Sequence, residues 1–142
     1  MKVRDLIEQK GSDVASIPRN VGMEQAISTL GSKNIGALVV VEADGSVCGI
    51  LSERDIVRHI SISGQAILSG LVEGFMTRNV VTCGVEDTLD DIMTTMTNKR
   101  IRHLPVIEGG KLSGIISIGD VVKRKIELAE QEASDLRQYI TT

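Results

Sequence analysis

Residues 33–42, KNIGALVVVE, lie over residues 99–108, KRIRHLPVIE, and residues 49–57, GILSERDIV, lie over residues 114–122, GIISIGDVV. The offset is 66 residues before the intervening turn and 65 after it. This internal repeat constrains the fold more than any other feature. A unit of roughly 60 residues buries its apolar faces poorly alone, so two units must stack on each other. The one-residue slip falls at a Gly-containing turn, where a hairpin loop tolerates a change of length.

Both copies follow one grammar. A short apolar piece (Val14–Ile17; Val80–Cys83) predicts a strand. Apolar residues then recur at i, i+3, i+4, i+7, as Met23, Ala26, Ile27 and Leu30 in copy one and Leu89, Ile92, Met93 and Met96 in copy two, which is the stripe of an amphipathic helix. Two apolar runs around a turn predict a hairpin: Ala37–Val41 and Val47–Leu51 around Ala43–Gly45, and Leu104–Ile107 and Leu112–Ile116 around Gly109–Gly110. A last helix begins near Ser52 and near Ser117. The expected fold is α/β (α+β), two β-α-β-β-α units packed with pseudo-twofold symmetry, plus N-terminal and C-terminal helices.

The expected divisions are 1–63 for a leading helix and the first repeat, 64–76 for a connecting helix, 77–126 for the second repeat and 127–142 for a helical extension. The leading helix is read from Val3, Leu6 and Ile7 and stops at Gly11. The connecting helix is placed at 65–75. In the C-terminal segment Val122, Ile126, Ala129, Ala133, Leu136 and Ile140 are spaced 4, 3, 4, 3, 4, an a/d-type seam. It either docks on its own domain or meets another helix in a dimer.

Composition narrows the partners. Phe75 and Tyr139 are the only aromatics, which counts against stacking platforms for single-stranded nucleic acid. The net charge of −3 counts against duplex binding. Cys48 and Cys83 form no metal-ligand or redox pair and read as small buried hydrophobes. The N-terminus lacks the apolar core of a signal peptide, and no apolar run approaches the roughly 18 residues of a membrane span. A soluble cytoplasmic protein is expected, with no membrane or nucleic-acid partner.

The chemistry concentrates in a duplicated Ser-x-x-Asp: Ser52 with Asp55, and Ser117 with Asp120. One reading is a helix cap, with serine accepting from a first-turn N–H and aspartate favouring the positive end of the helix. The other is a ligand site. A strand-to-helix corner presents free N–H groups to an anion. The pair recurs in both copies, and Arg54, Arg58, Lys99, Arg100, Arg102 and His103 lie near it or its counterpart. A helix N-terminus contributes only about 0.3–1 kcal/mol to an exposed anion. Charge-assisted hydrogen bonds from arginine supply roughly 1.5–3 kcal/mol each. A carboxylate only accepts hydrogen bonds, so it suits two ribose hydroxyls, while serine can donate to a phosphate.

The repeated G-x-x-S-x-x-D corners, with KNIGALVVVEADGSVCGILSERD and RIRHLPVIEGGKLSGIISIGD, resemble a tandem CBS-domain pair, or Bateman module, from about Val3 to Lys125. The resemblance implies two clefts between the repeats and an adenosine ligand: AMP first, with ADP, ATP, NAD(H) or S-adenosylmethionine as further candidates. It implies a disc-like homodimer that senses energy or redox state and modulates an unidentified protein without catalysis. Ser52 and Asp55 match the phosphate and ribose positions of one cleft, and Ser117 and Asp120 those of the other. Ser16, Ile17, Thr82 and Cys83 match segments flanking the base. Gly36, Ala37, Arg102 and His103 match second-strand segments, and Arg54 and Arg100 add to the ligand set. Copy one carries Glu53–Arg54 inside its motif where copy two has Ile118–Gly119, so unequal clefts are expected.

The alternative is a structural interaction module without a nucleotide, in which both pairs are caps. An enzyme has the least support, because no nucleophile–base pair or metal set can be assembled. His103 lacks a motif-placed partner and reads as a phosphate contact or a structural residue. His59 and Lys123–Lys125 read as solvated helix faces.

Overall fold

The computed structural model describes residues 1–11 and 13–141. Helix α1 (Val3–Lys10) leads into copy one: β1 (Ser16–Pro18), α2 (Met23–Lys33), β2 (Ala37–Val41), β3 (Val47–Ser52) and α3 (Glu53–Ser63). Copy two repeats it as β4 (Cys83–Gly84), α4 (Leu89–Lys99), β5 (His103–Glu108), β6 (Lys111–Ser117) and α5 (Ile118–Thr141). Each copy forms its own three-stranded sheet, with the first strand parallel to the second and the second antiparallel to the third. The pairing is offset as the sequence is: Ala37↔Ser52 in one sheet, His103↔Ser117 in the other. Both hairpins even carry an irregularity at the matching place, Val40/Val41 and Val106/Ile107. The two units are thus the expected β-α-β-β-α pair.

The slip has a structural cause. In copy one the Glu42 N–H donates to the Ser46 carbonyl at 2.8 Å, closing loop 43–45, with Gly45 at φ +87°. In copy two Glu108 pairs with Lys111 across Gly109 and Gly110 alone, at φ +60° and +77°. Positive φ at both central residues is what a type I′ turn needs, and glycine adopts it freely.

Each sheet is covered by a separate aliphatic core, and each core takes a segment from outside its own repeat. Val3 and Leu6 of α1 are buried with Cys83, Leu89, Ile92, Leu104 and Val121 of copy two. The Val3 N–H donates to the Asp87 carbonyl at 2.8 Å, and Glu86 takes both Lys2 and Arg4 at 2.7 Å. Conversely, Ile67, Val72 and Met76 join the core of copy one. The Val72 N–H donates to the Val21 carbonyl at 2.8 Å. The leading helix therefore packs with the second repeat rather than the first. The connecting segment is two 3₁₀ helices, Gly64–Ser69 and Val72–Gly74, rather than one α-helix. Gly64 at φ +61° and Gly70 interrupt any helical run there.

The exchange depends on two glycines at matching strand positions. A Cβ on Gly49 would lie 2.4 Å from Met76 Sδ, and one on Gly114 would lie 2.8 Å from Ile7 Cδ1. Met76 is buried, whereas Ile7 is half-buried and contacts by its terminal methyl. Gly49→Ala is expected to cost about 1–3 kcal/mol, as overpacking does, and Gly114→Ala less. Urea denaturation of the two variants checks the order.

Helix α5 is continuous over 24 residues, so the second repeat and the extension share one helix. Val121 is its one buried residue among those described. Val122, Ile126, Leu136 and Ile140 are 42%, 53%, 59% and 74% exposed. The seam does not dock on its own domain. Among the described residues no helix is long and apolar enough to cross a membrane.

Candidate functional site

The two Ser-x-x-Asp corners have the same backbone and different surroundings. In both, serine is the last strand residue and caps the helix. The Asp55 N–H donates to Ser52 Oγ at 3.2 Å, and the Asp120 N–H to Ser117 Oγ at 3.1 Å. Each aspartate accepts from its serine's N–H in return, at 3.0 and 2.9 Å. The cap reading therefore holds at both corners.

The side-chain environments then diverge. Asp55 is 4% exposed. Its Oδ2 accepts from Ser52 N and Oγ, both at 3.0 Å, while Oδ1 accepts from Arg58 at 2.7 Å and Thr77 Oγ1 at 3.1 Å. Four donors leave little of its capacity for a ribose. The Asp120 carboxylate keeps 26% of its side chain exposed and takes, besides its serine N–H, Lys10 Nζ at 2.5 Å. Burial pushes the Asp120 carboxyl up, but the hydrogen bonds from Lys10 and Ser117 outweigh it and leave the group below its ordinary value.

Asp120 and Ser117 line an open cleft of about 340 Å³ together with Gly36 and Ala37 of copy one, His103 and Lys10. The cleft thus joins the second strand of one repeat to the corner of the other. Val14, Ala15, Ile35 and Ile115 also line it, with Asp13 and Asn34, so aliphatic side chains share the cleft with a carboxylate. Gly36 allows a close approach, since a Cβ there would sit 3.2 Å from the His103 ring. Burial, then the Lys10 charge, lowers the His103 pKa. A base whose folded pKa is depressed favours the unfolded state once protons compete, so stability is full above pH 6.5 and falls as pH drops below it. NMR titration is expected to place His103 below 6.5, and His103→Gln to remove its share of that pH dependence.

A second cleft, of about 300 Å³, is lined by Arg54, Arg100 and Arg102 with Met96 and Ile118. Arg54 Nη1 donates to the Arg100 carbonyl at 3.3 Å across the repeats. None of the three arginines has an ion-pair partner among the described residues. Arg100 caps α4 at φ +56°, where copy one uses Asn34 at +52°. The left-handed region is uncommon for a residue without asparagine's short polar side chain.

Not every expected position faces a cleft. Ile17 and Cys83 are buried in the two cores, and desolvation raises the Cys83 thiol to about 12. Ser16 and Thr82 are exposed and line neither cleft described above. Strand alternation explains the difference: β1 turns Ile17 inward, and the cleft takes Asp13, Val14 and Ala15, just upstream of the strand. Lys10 was not legible as a site residue, because α1 packs on the distant repeat. His59, expected to be solvated, lies edge-on to Phe75 with centroids 5.0 Å apart.

The CBS domain family model matches residues 3–62 and again 72–127. A crystal structure of a CBS-domain containing protein from Agrobacterium tumefaciens superposes with a TM-score of 0.85 at 47% identity, covering 88% of this chain and 99% of that one. A CBS domain protein from Pyrobaculum aerophilum complexed with AMP has a TM-score of 0.75 at 23% identity, covering 84% of this chain and 89% of that one, a likeness of fold. A mitochondrial CBS domain-containing protein of Arabidopsis thaliana is 36% identical over 119 residues, 81% of this chain and 58% of its own length. The chain spans 41–65% of the length of the curated relatives it matches first. Two family matches, each on one repeat, and a shared fold along most of the chain place this protein in the CBS domain family, as a tandem pair.

Proposed function

We propose that the chain is a non-catalytic regulatory module that binds an adenine nucleotide, AMP first, in the cleft of Ser117 and Asp120. The observation that carries this is the difference between the corners. One aspartate is consumed by protein donors, while the other lines a partly aliphatic cleft that falls within the usual size of small-ligand sites. In this reading Val14, Ala15 and Ile115 flank the base, Asp120 accepts from the ribose hydroxyls, and Ser117 and His103 donate to the phosphate. The AMP carried by the Pyrobaculum relative supports the ligand class.

The arginine cleft supports a second, unequal site. Among the described residues no carboxylate lines it and none of its three guanidiniums is in an ion pair, which favours a phosphate chain, as in ADP, ATP or NAD(H), over the cationic S-adenosylmethionine. Ligand acts on a partner protein only through different affinities for two states of the module. We take the working form to be a homodimer.

A thermal-shift screen with AMP, ADP, ATP, NADH and S-adenosylmethionine tests the reading. Stabilisation by AMP that grows with its concentration is expected. No shift with any of them at millimolar concentration contradicts it, and the chain is then an interaction module with two capped helices.

A further inference from the structure

We propose that the projecting part of α5 forms a parallel two-stranded zipper with α5 of a second copy, so that the dimer is head-to-head. The inference rests on the homodimer reading and is independent of the nucleotide. From Ile126 to Thr141 the helix extends about 24 Å at 1.5 Å per residue. Along it Ile126, Leu136 and Ile140 are more than half exposed, and Ala129 and Ala133 are exposed between them. The spacing places Ile126, Ala133 and Ile140 at a and Val122, Ala129 and Leu136 at d. Isoleucine at a with leucine at d is the pattern of parallel pairs.

The flanking charges select the direction. In a parallel pair each g residue faces the e residue five places on in the other helix. That sets Lys125 against Glu130 and Glu132 against Arg137 of the second copy, all with opposite sign. An antiparallel pair that keeps every seam residue buried matches Ile126 with Leu136, Ala129 with Ala133 and Val122 with Ile140. Its flanks then meet as Glu130 with Glu130, Glu132 with Glu132 and Lys123 with Arg137, all of like sign. Lys125 already holds Asp90 of α4 in an ion pair. Glu132 and Arg137, by contrast, have no ion-pair partner among the described residues, so this pair decides the direction. The central alanines bury little area, so the zipper orients the dimer and adds to contacts elsewhere rather than replacing them.

Sedimentation of the full chain and of charge variants tests this. Arg137→Glu sets two glutamates face to face and is expected to raise the dimer Kd about three- to ten-fold, the scale of exposed pairs turned repulsive. The double variant E132K/R137E restores the parallel pair and is expected to return the Kd to within about two-fold of the parent. An antiparallel pair would respond the other way. A glutamate introduced at position 137 would meet Lys123 and lower the Kd, while two lysines facing each other at position 132 would repel as the two glutamates do. Oxidation of Leu136→Cys, with linkages mapped by peptide mass spectrometry, is expected to join residue 136 to residue 136. A monomer at high micromolar concentration overturns both this proposal and the homodimer reading. A dimer indifferent to Arg137→Glu or tightened by it, or one in which I126C chains couple to L136C chains instead, overturns the zipper and leaves the homodimer reading standing.

Discussion

Asp55→Ala is expected to lower the stability of the fold by about 2–4 kcal/mol, the range for stripping a buried acceptor from several donors. The carboxylate ties the end of β3 to the start of α3 through Ser52. It also ties copy one to the segment that crosses to copy two, through Thr77. The backbone of Thr77 pairs with Ile50, which holds the residue beside the corner. Arg58 contributes less, because its side chain is 56% exposed and water replaces the lost partner. In denaturant the midpoint should drop with the slope unchanged. Ser52→Ala, which removes the cap and one of the four donors to Asp55, is expected to cost about 1 kcal/mol. A loss for Asp55→Ala no larger than for Ser52→Ala would show that the carboxylate is not the knot described here.

The matching substitution in copy two is expected to act on ligand instead. Asp120→Ala should weaken AMP binding by about 100-fold or more, the effect of two hydrogen bonds to a charged acceptor at roughly 1.5–3 kcal/mol each. The cost to stability is smaller, about 1 kcal/mol, because the serine cap survives and Lys10 is free to solvate. Calorimetric titration and denaturation on one preparation separate the two effects. Unchanged affinity in Asp120→Ala would remove the ribose assignment.

The fold was legible because duplication writes each element twice. A stripe such as Met23–Leu30 is convincing when Leu89–Met96 repeats it, and the slip at the hairpin resolves into loops of three residues and two. What escaped the sequence is what crosses between copies. Nothing in Val3 and Leu6 says which core buries them, since a stripe shows that a helix has a partner and not which one. The connecting segment lost its α-helix to Gly64 and Gly70. The site was legible as a motif and not as a geometry. Ser-x-x-Asp specifies a capped corner in both copies, whereas Thr77 closing over Asp55, and the open cleft beside Asp120, depend on neighbours far along the chain; Arg58, one helical turn from Asp55, is the local contribution. The expectation of unequal clefts, read from Glu53–Arg54 against Ile118–Gly119, agrees with one partly aliphatic cleft and one arginine-lined cleft. The larger difference lies in the aspartates, which are identical in sequence.

Isothermal titration of the full chain with AMP, beside Asp120→Ala and Asp55→Asn, bears most directly on this division of labour. Titration should give one site per chain with a ribose contact, lost in Asp120→Ala and retained in Asp55→Asn wherever that variant remains folded. Binding that survives Asp120→Ala and disappears in folded Asp55→Asn would contradict it.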